Sequence, residues 1–195
     1  MGMLAILLIL VLLVGAASIC KQKLTAGKQN YQESFMALKI ALSCRHQAAK
    51  HVLEASQLHL LNDADLNRNL AKACGEAEWV LSQAVRSMSE ESLRTLSKAE
   101  SKLTALLRQL QNHLLNELKH REDACLSNQL EMLEVAESDI LHLRRAYNRS
   151  AERYNRLLRK LPMSVCAYVL GHKNYAGLIK FEDSNTAQMS KHLMV

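Results

Sequence analysis

The chain has 195 residues but a single proline and only six glycines. Sandwiches and barrels of short strands need turn residues every ten positions or so, and this sequence cannot supply them. Aromatic side chains are scarce, at 4%. Five cysteines (Cys20, Cys44, Cys74, Cys125, Cys166) are an odd number and lie at least 24 residues apart, with no CxxC pair among them. That spacing excludes a clustered disulfide framework and a short metal-ligand motif, and it reads as small buried hydrophobes in a reducing compartment. No Ser-His-Asp pattern, phosphate loop or HExxH is present, so the sequence supports no enzyme class and calls for no cofactor.

What remains is rich in Leu, Ala, Ser, Glu, Lys, Arg and Gln, the composition of long helices joined by short turns. The length suits one soluble domain with a real core. The net charge of +6 favours solubility and attraction to anionic lipid over nucleic-acid binding.

Met1 to Cys20 contains no charged side chain. Twenty helical residues at 1.5 Å each span about 30 Å, the thickness of a bilayer core. A cleaved signal peptide would want a positive n-region, a shorter apolar run and a small-x-small site. Here no Lys or Arg precedes the run, the run is long, and Ala17-Ser18-Ile19-Cys20 has isoleucine where a lipoprotein cleavage box needs a small residue. Residues 1–20 are therefore expected to form an uncleaved single-pass anchor. Lys21, Lys23 and Lys28 follow the span, which by the positive-inside rule places the rest of the chain in the cytoplasm.

Leu24, Tyr31, Phe35, Leu38, Leu42, Ala49, Val52 and Leu60 recur at spacings of three, four or seven, so the anchor is predicted to run on as one helix to about Leu61. Arg45, His46 and Lys50 fall between these positions and read as a solvated rim. A turn is expected at Asn62–Asp65. A small-residue stripe follows, from Leu66 through Leu70, Ala73, Ala77, Val80 and Leu81 to Ala84, with Trp79 expected half-buried beside it. Ser87-x-x-Glu90 has capping-box spacing and predicts the next helix start. Leu93, Leu96, Leu103, Leu106, Leu107, Leu110, Leu114 and Leu118 make the third stripe, ending near Arg121-Glu122-Asp123. On it, Glu117-x-x-His120 has a di-iron spacing that Asp139-x-x-His142 echoes. The two pairs would lie about 15 Å or more apart along antiparallel helices, so a solvated polar face is the better reading.

Leu126, Leu130, Leu133, Glu137, Ile140, Arg144, Tyr147, Ala151, Tyr154, Leu158 and Leu161 keep a heptad seam. It places both tyrosines in the core and puts Asn148 and Asn155 at the edge, for interhelical hydrogen bonds. Arg144-Arg145-Ala146-Tyr147-Asn148, Tyr154-Asn155 a heptad later, then Leu161-Pro162, Ala167 and Gly171 resemble the RR-x-YN…YN…FP…A…GF signature of the LemA family. Phe35 stands in place of that family's usual tryptophan, and Ser43-Cys44-Arg45 breaks its basic pair. The YPxLK turn becomes Leu115-Asn116-Glu117-Leu118-Lys119, the closing GF is Gly171-His172, and the V-x-F ending is not visible. The resemblance implies a single-pass membrane protein with an antiparallel helical bundle and no established catalytic activity.

The expected fold is thus all-α. An anchor at 1–20 leads into a bundle of about four long helices at 21–161, a membrane-proximal or bundle-capping segment at 162–183 and a disordered tail at 184–195. Four helices with short turns bring the last one back to the bilayer. There Arg145, Arg149, Arg153, Arg156 and Lys160 form a basic stripe expected to meet anionic headgroups. Arg144, Arg145, Tyr147, Asn148, Tyr154, Asn155 and Pro162 are the signature positions. The leading functional expectation is a non-enzymatic scaffold with a protein partner. A small-ligand or metal sensor using the edge around Asn148, Asn155 and Arg144 is the alternative, and oligomerisation stays open.

Overall fold

A computed structural model describes residues 2–56, 64–118, 124–172 and 174–180. Five helices account for nearly all of it, and the described residues contain no strand. They are α1 (Gly2–Ser56), α2 (Ala64–Ser87), α3 (Glu90–Leu118), α4 (Ala124–Arg159) and α5 (Met163–Val169). Of the turn predicted at 62–65, residues 62–63 lie outside the described residues, while Ala64 and Asp65 already form the first turn of α2. The turn predicted at 121–123, the tail predicted at 184–195 and the ends expected at Leu61 and Arg121 also lie outside the described residues.

The apolar segment expected to be an anchor and the first bundle helix are one element. Along α1, exposure changes at a single point. Met3, Leu4, Leu7, Leu10, Val14 and Ile19 are bare, whereas Cys20 and Leu24 are buried, and burial then recurs at Tyr31, Phe35, Leu38, Leu42, Ala49 and Val52. Among the described helices, α1 is the one long and apolar enough to cross a bilayer.

α1 packs most extensively along α4, and α2 along α3. Ring pairs fix the α1–α4 register as antiparallel: Phe35 meets Tyr147 at 5.5 Å between centroids, and Tyr31 meets Tyr154 at 5.1 Å. Further down, a methyl at Gly27 would come within 3.2 Å of Leu157 and 3.3 Å of Tyr154, so Gly27 marks a close approach of the two helices. The end of α4 accordingly lies beside the start of the bundle part of α1.

The core divides into two clusters. The one nearer Cys20 gathers the aromatic residues of α1 and α4 with Val80, Ala84, Leu93 and Leu96. The distal one is aliphatic, built from Ala49, Val52, Leu70, Ala77, Leu103, Leu107, Leu110 and Leu133. The small-residue stripe of α2 is buried as its spacing predicts.

Several expectations are corrected. Arg45 and His46 are not a solvated rim: they are 3% and 1% exposed. Both bond Glu100, which is fully buried; His46 Nε2 donates to Oε1 at 2.8 Å and Arg45 Nη2 to Oε2, while Arg45 Nη1 donates to Thr104 Oγ1 at 2.9 Å. These charged groups come from both sides of the gap between the two apolar clusters. Trp79 is 64% exposed rather than half-buried: the buried face of α2 runs through Leu70, Ala73, Ala77, Val80 and Ala84, and Trp79 lies off it.

The α2–α3 turn stands where the serines predict it, but the cap is different. Ser87 ends α2, Met88 turns with a left-handed φ of 44°, and Ser89 Oγ accepts the Ser92 N–H at 3.1 Å. The capping serine is two residues later than the capping-box spacing suggests, and Glu90 is the first helical residue. Finally, Leu161 is exposed, so the heptad seam closes at Leu158 as the chain turns at Pro162 into α5.

Candidate functional site

The Tyr-Asn repeat of α4 holds the chain's own C-terminal segment. Asn148 donates from Nδ2 to the Ile179 carbonyl at 2.8 Å, and its Oδ1 accepts the Ile179 N–H at 2.9 Å. One heptad on, Asn155 does the same to Ala176, at 2.9 and 2.8 Å. Each carboxamide thus pairs with both backbone groups of one residue, as a neighbouring strand would. The spacings match: seven helical residues rise about 10.5 Å, and three extended residues advance about 10 Å. The segment therefore runs antiparallel to α4, with every third residue meeting an asparagine.

The tyrosines complete the clamp. The buried Tyr147 hydroxyl donates to the Gly177 carbonyl at 2.7 Å, and the Tyr154 hydroxyl lies 3.0 Å from His172 Nδ1. Burial pushes both phenols up, Tyr154 to about 12, so each keeps its proton for bonding. Gly177 is the tightest point. A methyl there would come within 2.9 Å of Leu93 Cδ1 and 3.0 Å of Glu90 Cα, which places the segment in the groove between α4 and the start of α3.

The asparagines were expected to bond a neighbouring helix, and they bond this segment instead. Nothing in the periodicity of 174–180 announces that, since an extended segment held at every third residue has neither a helical nor an alternating apolar pattern. The matched spacing and the glycine between Ala176 and Leu178 were the available signal. The polar edge assigned above to a small ligand is consequently occupied by backbone at Asn148 and Asn155. Arg144, the third member of that edge, is 8% exposed and sits among the buried seam residues.

Arg145, Arg149, Arg153 and Arg156 all lie on the exposed side of α4, and Lys160, just past its end, is exposed too. The stripe runs along the bundle's long axis for roughly 22 Å at the helical rise. Its lower end, Arg156 and Lys160 with Arg159, is the part level with the foot of the bundle near Gly27. Pro162 opens α5, which packs on both α1 and α4. Ala167 is its buried residue, whereas Leu161 before it and Val165, Tyr168 and Val169 within it are exposed. This apolar face lies beside Cys20, whose thiol contacts Cys166 of α5.

Of the residues weighed for metal binding, Asp139 and His142 face solvent; the Glu117 side chain and His120 lie outside the described residues. No group of three metal-ligating side chains occurs among the described residues.

No curated protein matches the chain. The LemA family model matches residues 38–191, from the middle of α1 through the clamp and the segment it holds. That match spans well over half of the sequence, and the chain belongs to the LemA family.

Proposed function

We propose that the protein is a single-pass, membrane-tethered and non-enzymatic helical module that presents its bundle to a protein partner. The observation that carries this reading is the change in exposure along α1 at Cys20. One rigid helix is bare where a bilayer would cover it and buried where the bundle begins. The foot of the bundle suits a membrane surface. The exposed α5 residues sit on a helix that packs on α1, and Arg153 of α4 shares a shallow pocket with Lys23 just past the span. Each basic residue near anionic headgroups contributes on the order of 1 kcal/mol.

The scaffold reading is supported by how the signature spends its polar atoms: they bind the chain's own backbone. A surface for a protein partner is offered by the exposed Trp79, which with Val80, Gln83, Ser92 and Thr95 lines a shallow groove of about 270 Å³ between α2 and α3. The lysines after the span direct the bundle to the cytoplasm.

Alkaline-carbonate extraction of native membranes tests the anchor: the full chain stays in the pellet, and release into the supernatant refutes it. Orientation is tested through the exposed Cys44, in a variant whose other four cysteines are serine. A membrane-impermeant maleimide labels Cys44 only after permeabilisation. Labelling of intact cells would reverse the orientation.

A further inference from the structure

A cleft of about 710 Å³ opens beside the clamp, between α1, the α2–α3 turn, Tyr154 of α4 and the residues following α5. Lys28, Arg86, Ser87, Ser89, Tyr154 and His172 converge on it from five parts of the chain, and Glu90 is the one carboxylate in its wall. The serine hydroxyls already bond within their own turn, Ser87 Oγ to the Gln83 carbonyl and Ser89 Oγ to Ser92 Oγ, and the Tyr154 hydroxyl is held at His172. Two fixed cations and an imidazole stand against a single acidic group, so the wall is net positive. Such a wall suits an oxyanion with several acceptor oxygens more than a cation or an apolar ligand. We propose that this cleft binds a phosphate monoester, presented by a soluble phosphate ester or by a lipid headgroup. Lys28 lies eight residues beyond Cys20, about 12 Å along α1, so either source can reach it. The proposal stands apart from the scaffold reading, which gives the cleft no role.

His172 reports on the site. Its Nδ1 is engaged by Tyr154, which leaves Nε2 to a ligand. Burial and then the Lys28 ammonium hold the imidazole below its ordinary value. The other groups around the cleft are Tyr31 on α1, Arg86 on α2, Glu90 on α3, Tyr154 on α4 and Tyr175 on the segment, with the Arg159 guanidinium 5.3 Å from the Tyr175 ring centroid. A bound dianion offsets the charge of Lys28 and favours the imidazolium, so ligand binding must raise the His172 pKa.

The test uses the full chain in nanodiscs with histidine-selective carbon labelling, His172 being assigned by comparison with His172→Gln. One arm titrates glycerol phosphate into phosphatidylcholine discs, and the other replaces part of the lipid with phosphatidic acid. A raised His172 pKa in the first arm supports the site with a soluble source, and in the second arm alone with a lipid source. Lys28→Gln weakens binding about tenfold, the size of losing one charge-assisted hydrogen bond. Glu90→Gln strengthens it. Identical His172 titrations in every arm overturn the proposal, as does an affinity that neither substitution changes.

Discussion

Two places in this bundle bury polar groups, and they do so by different physics. At the clamp, two neutral carboxamides and the Tyr147 phenol meet backbone groups that would otherwise be left open, and the matched spacing of heptad and extended chain lets each carboxamide satisfy a pair of them. Midway along the bundle, Glu100 instead takes an arginine and a histidine out of water. A buried ionic cluster of this kind is weak evidence for stability, because desolvation offsets much of the attraction, yet breaking it from one side is severe. The difference teaches which losses each site tolerates. Clamp groups that lose a partner can be rehydrated at the edge of the bundle. The groups around Glu100 cannot, and Arg45 Nε and His46 Nδ1 already lack partners there.

Substitutions can sharpen that contrast. Glu100→Ala strands two buried basic side chains and should cost about 3–5 kcal/mol, read as a lowered midpoint in denaturant titration. Replacing Arg45, His46 and Glu100 together with Met, Leu and Leu should recover most of that loss. A triple variant as unstable as the single one would show that the cluster is net stabilising. Asn148→Ala with Asn155→Ala removes four hydrogen bonds, at about 1 kcal/mol each before rehydration. It should free the C-terminal segment while leaving the α1–α4 ring pairs intact, so near-ultraviolet dichroism changes little.

A third effect is confined to the clamp and its pH dependence. Unfolded tyrosines ionise near pH 10, whereas Tyr154 is raised to about 12 and Tyr147 is raised as well. Both contribute stability that is complete below pH 10 and lost as pH rises through their folded values. Thermal melts from pH 9 to 12 should show this decline, and Tyr147→Phe with Tyr154→Phe should flatten it. The smallest effect belongs to the rim. Lys102 and Glu76 pair at 2.7 Å with both side chains about half exposed, and Lys102→Ala should cost no more than about 1 kcal/mol.

The sequence disclosed the two sites unequally. Apolar spacing placed α1 to α4 and most of the buried apolar positions on them, because a helical stripe is a local property. The Tyr-Asn repeat was visible for the same reason. Its partner was not, since Ala176 and Ile179 contribute backbone rather than side chains. Arg45 and His46 were misread because their burial depends on Glu100, more than fifty residues away and equally charged in the sequence. Seen along one helix, such residues look like a rim. Trp79 shows the converse: a large apolar side chain stays outside when it lies off the stripe that its helix buries.

The central claim is that the heptad-spaced asparagines pin the C-terminal segment to α4. Amide hydrogen exchange in the full chain tests it at single residues. The account predicts slow exchange at the Ala176 and Ile179 amides, and fast exchange at both when Asn148 and Asn155 are replaced by alanine. Unprotected exchange at these two amides in the unaltered protein would contradict it.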